Sequence, residues 1–341
     1  MKIHFVLEPA SADEFLELGK LAEEYGFEAL WTSNHAAARD PFLTFSVLAR
    51  ESSSVRMGPV AVSPFELHPL KMANQLFTLN EFSGGRANIV VGGGGGTTIA
   101  MHVKPDRYTM HPRMVRGVRE CVEFLKSASP NETLNFEGEV FQVDNYRPSW
   151  ATDEPPLVYV GATKPQMLRM AARVADGVMF SDLTLGRLDE TMSLLKAELL
   201  DAGRAEHGFR VNNLFSWHVK KNRQEAVAEA RRKLWVRGML DHWYISPALN
   251  ERDCKFVAEN MPAFIKGYVS DSPVIEGVPD ELVDLLIDEL TFTGDLTDVD
   301  KLIERFWTFK AAGVSEMSLR LYDDPAYSIK VIGETIGPEL Q

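Results

Sequence analysis

The residues with chemical capacity fall where short apolar runs end: Glu8, Ser33-Asn34-His35, Val62-Ser63, the glycines at 92–96, Gly161-Ala162-Thr163, Ser181-Asp182, Trp217-His218 and Arg320. Two carboxyl groups, two imidazoles, many glycines and few lysines suit a neutral planar ligand better than a polyphosphate. The chain carries no Gly-x-x-x-x-Gly-Lys-Ser/Thr, no His-Glu-x-x-His and no Gly-x-Ser-x-Gly, so the sequence argues against ATP hydrolysis, zinc peptidase and serine esterase chemistry. Cys121 and Cys254 lie far apart, which indicates neither a disulfide framework nor a metal site and reads as two buried thiols.

The elements that must position these residues radiate from residues 81–96, Glu-Phe-Ser-Gly-Gly-Arg-Ala-Asn-Ile-Val-Val followed by five glycines. Gly84 and Gly85 can end a helix, because glycine takes left-handed backbone without steric cost. Ile89-Val90-Val91 is a β-branched run suited to a strand buried on both faces. The glycines after it leave bare backbone against which something flat can lie, although a glycine run taken alone also reads as a flexible linker.

Around this stretch the pattern repeats. Strands are expected at 3–7, 29–33, 55–62, 89–91, 157–160, 177–180, 211–219 and 316–321. Helices follow them, the first opened by the capping box Ser11-Ala12-Asp13-Glu14. A surface hairpin is expected at 133–143. Strand and helix in strict alternation demand parallel strands with right-handed crossovers, and eight such units give an α/β fold of the (β/α)8 TIM-barrel class. Residues 1–341 read as a single domain. Residues 241–293, punctuated by Pro247, Pro262, Pro273 and Pro279, read as a helical insertion covering the C-terminal face of the strands. In such barrels the site lies at the C-terminal strand ends, where the residues named above sit.

Composition narrows the partners. A chain of 341 residues, 45% hydrophobic and 25% charged, can bury a large core. Its net charge of -13 argues against nucleic acid and against an anionic membrane surface. The first residues enter a strand at once and do not read as a signal peptide, and no apolar run reaches the length of a membrane span, so the cytoplasm is expected.

Three segments together carry a family resemblance: Leu79-Asn80-Glu81-Phe82-Ser83-Gly84-Gly85-Arg86 with its glycines, Val158-Tyr159-Val160-Gly161-Ala162-Thr163-Lys164-Pro165-Gln166-Met167, and Ala175-Asp176-Gly177-Val178. They resemble the bacterial-luciferase-like oxidoreductases, on the branch that uses the deazaflavin coenzyme F420 and includes methylene-tetrahydromethanopterin reductase. The resemblance implies a hydride-transfer enzyme acting on a small organic substrate, with F420 as cofactor and a homodimer as assembly. An FMN-dependent monooxygenase of the same superfamily and a non-catalytic flavin-binding protein are the alternatives.

It also implies a cofactor site. Gly58-Pro59-Val60-Ala61-Val62-Ser63-Pro64-Phe65 resembles the family's third strand, whose bulge backs the ring with a non-prolyl cis peptide; by similarity that bond falls at Val60-Ala61. Asn34, Ser63, Gly93, Gly94 and Ser181 would join Val60 and Ala61 around the cofactor. Gly161-Ala162-Thr163 resembles the phosphate-binding turn, which fits the positive end of a helix, although Thr163 could equally be an ordinary cap. Family members often carry Asp-His where this chain has Asn34-His35, and Gly95 stands where some F420-dependent sugar-phosphate dehydrogenases carry a glutamate proton donor. Glu8 is then the remaining acid. Buried beside a ring it would have a raised pKa and could protonate the substrate; before Pro9 it could also be simply solvated. With His35 it is the expected catalytic pair.

Overall fold

The computed structural model describes residues 1–102 and 107–340. Its strands are β1 (Lys2–Val6), β2 (Ala29–Ser33), β3 (Arg56–Val62), β4 (Asn88–Val91), β5 (Leu134–Glu137), β6 (Gln142–Tyr146), β7 (Leu157–Gly161), β8 (Gly177–Ser181), β9 (Arg210–Val219), β10 (Thr291–Gly294) and β11 (Glu316–Arg320). One sheet has the order β10-β9-β11-β1-β2-β3-β4-β7-β8, with a further β9–β8 pairing. Eight strands thereby close into the parallel barrel that the alternation predicts, with β10 added beside β9. β5 and β6 form the separate antiparallel hairpin.

The chain divides into two compact units. The first comprises residues 4–179 and 194–212. Trp31 and Tyr159 are fully buried and meet edge to face, ring centroids 5.5 Å apart. Burying each such side chain contributes about 1.5–3 kcal/mol. Ser11 caps the helix Ala12–Glu24 by accepting from the Glu14 N–H. The helix Pro69–Phe82 stops as read from sequence, with Gly84 at φ +63 and Gly85 at φ +90. Arg86 then fixes the turn: its guanidinium donates to the carbonyls of Ala49, Ser52, Val55 and Ser83. Gly58 is required for a different reason. A Cβ there would sit 1.8 Å from the Asn88 carbonyl oxygen, so only glycine lets β3 approach β4.

The second unit comprises residues 1–3, 180–193 and 213–341. Phe292 of β10 stacks on Phe306, centroids 4.5 Å apart, under the Arg305 guanidinium. The expected insertion is helical over His242–Ile245, Glu251–Glu259, Met261–Val269 and Asp280–Leu290, and its apolar residues share one core with Ala230 and Leu234. It ends earlier than residue 293. Thr291 is extended (φ -145°, ψ 163°), and Thr291–Gly294 pairs with Ser216–Val219, since β-branched threonines around Phe292 suit a strand. Pro262 and Pro279 begin helices rather than break them, because the first helical turn needs no N–H from proline. Among the described residues, no helix is long and apolar enough to cross a membrane.

Candidate cofactor site

The site grows out of β3. Its pairing with β4 slips between Val60 and Val62, and within that bulge the Val60–Ala61 peptide bond is cis. Beside Ala61 the neighbouring strand ends carry glycines. A Cβ on Gly92 would lie 3.2 Å from the Ala61 Cβ, and one on Gly161 would lie 4.0 Å from it. Ala61, Gly92 and Gly161, at the ends of β3, β4 and β7, thus bring together side chains no larger than a methyl group, beside Val90, 3.4 Å from a Cβ on Gly161, and Met114, whose sulfur lies 2.5 Å from a Cβ on Gly93. A flat ring fits against such a small-residue patch, the floor of the site. Gly94 (φ +91) carries the chain away from it, and a Cβ there would strike Thr98 at 2.4 Å.

Polar groups border the floor. The Asn34 N–H donates to the Val60 carbonyl at 3.1 Å, and its side-chain amide donates to the Ala61 carbonyl at 3.3 Å and to the Glu66 carboxylate. Ser63 is buried and donates its N–H to Glu66 at 2.8 Å. Burial pushes the Glu66 carboxyl above its usual range, against the opposing hydrogen bonds from Ser63, Asn34 and Thr97. Glu66 was not legible in the sequence. A glutamate between Phe65 and Leu67, just after a strand, reads as a solvated turn residue, and only the turn 63–67 folds it back onto Asn34.

Several expected site residues are placed otherwise. Glu8 is exposed, not buried; its carboxylate lies 3.6 Å from Nε2 of the more exposed His35, on the loop after β2. In the turn after β7, the Ala162 N–H already donates to the Met179 carbonyl at 3.1 Å, so that amide is committed to the sheet. Thr163 is not the cap. The helix Pro165–Val174 starts one residue later, with Lys164 at its N-cap. Its first N–H groups still lack intrahelical acceptors and present the positive end of the dipole. His68 does enter a helix, accepting from the Leu70 N–H at 3.2 Å.

Ser181 and His218 belong to the second unit. Ser181 is exposed and its hydroxyl donates to Asp182, whose buried carboxylate binds Arg237 at 2.8 Å and the Gly238 N–H at 3.0 Å. His218 is fully buried against Glu229 and lies flat on the Tyr322 ring.

The family description for luciferase-like monooxygenases matches residues 4–316, nearly the whole chain. The chain belongs to that family. Among its luciferase-like relatives, a 5,10-methylenetetrahydromethanopterin reductase of Archaeoglobus fulgidus is 28% identical over 328 residues, spanning 94% of each chain. An F420-dependent glucose-6-phosphate dehydrogenase of Microbacterium testaceum is 24% identical over 66% of this chain and 69% of its own. The solved F420-dependent tetrahydromethanopterin reductase of Methanopyrus kandleri superposes with a TM-score of 0.80 at 20% identity, covering 100% of this chain and 99% of that one.

Proposed function

We propose that this protein is an F420-dependent oxidoreductase that moves a hydride between the deazaflavin and a small organic substrate, with a methylene-tetrahydropterin as first candidate. The observation that carries the reading is the patch of small residues around the cis Val60–Ala61 bulge, in a chain that matches a methylenetetrahydromethanopterin reductase over 94% of its length.

In this reading Val60, Ala61, Gly92, Gly93 and Gly161 wall the ring, and Asn34 and Ser63 supply its polar edge. The turn at Gly161, Ala162 and Thr163, with the helix after it, receives the phosphate. F420 supplies the hydride chemistry when bound; the chain's own work is to orient, exclude water and handle the proton. Glu8 and His35 do the last. The Glu8 carboxylate lies 3.6 Å from Nε2 of His35, near enough for a side-chain rotation to pass a proton between them, and exposure of the pair lets that proton exchange with solvent.

The same reading places the enzyme in the cytoplasm as a homodimer. What supports the dimer is an apolar cleft of about 250 Å³ lined by Phe42, Leu43, Leu79 and Phe82, where Leu43 and Phe82 stand exposed.

The deciding experiment titrates the apo-protein in parallel with F420 and FMN, following tryptophan fluorescence and cofactor absorbance. Tight binding of F420 alone is expected. Tight binding of FMN alone transfers the protein to the oxygen-consuming members of the family, and binding of neither overturns the cofactor site.

A further inference from the structure

The loop after β2, the bulge of β3 and the loop after β4 meet at one side chain. Glu66 Oε1 accepts both the Ser63 N–H, at 2.8 Å, and the Asn34 side-chain amide. The Thr97 hydroxyl donates to the Asn34 carbonyl at 3.3 Å and shares that one proton with the same Glu66 carboxylate. Glu66 itself is set by a tight turn: its N–H and that of Leu67 donate to the Ser63 carbonyl at 3.1 and 3.0 Å, and the Phe65 N–H donates to Ser63 Oγ at 3.2 Å.

Every partner in this set is neutral: a backbone amide, a side-chain amide and a hydroxyl. Among the described residues, no ion pair to Glu66 is found within 4.0 Å. An ionised carboxylate accepts from such donors more strongly than a carbonyl would, so one half-buried side chain ties three loops together. The β2–β3 and β3–β4 ladders end at the bonds from the Asn34 N–H to the Val60 carbonyl and from the Gly92 N–H to the Val62 carbonyl, and Glu66 ties the segments that lie beyond them. Without the tie, Asn34 would keep its bonds to Val60 and Ala61 and the one its carbonyl accepts from Thr97.

We propose that Glu66 is the positioning residue of the cofactor site, a carboxylate peg that sets the spacing between the Asn34 loop, the Val60–Ala61 bulge and the glycine loop that begins at Gly92. The proposal rests on the cofactor reading above for what the spacing serves, and on the geometry alone for the tie. Its signature is weakened cofactor binding with chemistry preserved. Glu66 touches the groups that wall the ring, and no reacting group is assigned to it.

Three variants test this. Glu66→Ala removes all three bonds. Glu66→Gln keeps an acceptor for Ser63 and Asn34 and a donor that Thr97 can accept. Thr97→Val removes one strap only. Glu66→Ala is expected to raise the F420 dissociation constant at least about tenfold while kcat at saturating cofactor stays within about threefold; Glu66→Gln is expected to recover binding to within about threefold of the parent. In the apo-protein, amide exchange at Ser63 should accelerate about tenfold in Glu66→Ala and far less in Glu66→Gln. Should Glu66→Ala not fold, Thr97→Val carries the test with an expected rise of about threefold in the dissociation constant. F420 binding unchanged in whichever of these variants folds, with Ser63 exchange unaltered, overturns the proposal. If the parent protein fails to bind F420, the cofactor reading falls, and exchange at Ser63 still decides whether the tie exists.

Discussion

Nδ1 of His218 lies 2.6 Å from a carboxylate oxygen of Glu229, and both side chains are buried. The other oxygen of Glu229 takes Lys220 at 2.8 Å and the Asp323 N–H at 3.0 Å. A histidine at a strand end of a barrel invites a catalytic reading; this one is held through Nδ1 by Glu229, while its buried Nε2 has no hydrogen-bond partner among the described residues.

That arrangement predicts how stability depends on pH. Burial lowers the His218 pKa below its ordinary 6.5, outweighing the Glu229 carboxylate. The unfolded chain therefore takes up a proton near pH 6.5 that the folded protein refuses, and stability falls as pH drops below that value, by up to about 1.4 kcal/mol per pH unit. For Glu229, burial works upward, but the bond and charge of His218 and Lys220 prevail and lower its pKa from 4.5. Its contribution is present above pH 4.5 and is lost only as the pH falls further, through its folded value. Urea unfolding from pH 8 to 4 should show the first loss beginning near 6.5, and His218→Gln should remove that onset. A flat profile between pH 7 and 5 in the parent protein contradicts the network.

The small-residue floor around Ala61 predicts a separation of binding from stability. Gly161 has ordinary backbone, and an added Cβ would meet Val90 at 3.4 Å and the Val91 carbonyl at 3.8 Å, both ordinary contacts. Gly161→Ala should therefore change stability by less than about 1 kcal/mol. The new methyl stands on the surface proposed for the ring, so F420 affinity should fall at least about tenfold, roughly 1.4 kcal/mol. Equal affinity in this variant, measured by fluorescence titration, removes the floor from the binding site.

What the sequence disclosed and what it hid divide along one physical line. Signals carried by neighbouring residues were readable: the stop at Gly84 and Gly85 and the apolar run of β4, whereas the bulge at Val60 and Ala61 followed only from the family resemblance. Signals that depend on distant partners were not. The Ala162 amide looks free until β8 is seen to take it, because the chain does not announce which carbonyl, here Met179, will lie opposite. Thr291–Gly294 hides behind the strongly helical residues 280–290, and four residues are too few for a period to declare itself. Glu66 is concealed for a third reason: its partners Asn34 and Thr97 lie 32 and 31 positions away in sequence, on either side.

The homodimer proposal makes a prediction about mass. Leu43 is 71% exposed and Phe82 46% exposed beside one apolar cleft. Placing a charge there should oppose burial of that face against a second copy without disturbing the interior. Phe82→Glu combined with Leu43→Glu is expected to shift the light-scattering mass from about two chains to one while far-ultraviolet circular dichroism stays unchanged. A parent protein that is already monomeric at micromolar concentration defeats this assignment of the face.

The exposed pair of Glu8 and His35 yields the sharpest kinetic test, because two groups 3.6 Å apart that pass one proton behave as a unit. General acid catalysis contributes about 10²- to 10⁴-fold, so Glu8→Gln and His35→Asn should each lower kcat into that range. Because neither side chain belongs to the floor or to its Asn34–Glu66 border, the F420 dissociation constant should move less than about threefold in either variant. Groups that act together lose their joint contribution when either one is removed, and the double variant should then be scarcely slower than the worse single one. Two losses that multiply instead would mean that Glu8 and His35 act at separate steps. In that case the exposed Glu8 carboxyl group, in direct exchange with solvent, would have to reach the substrate without His35.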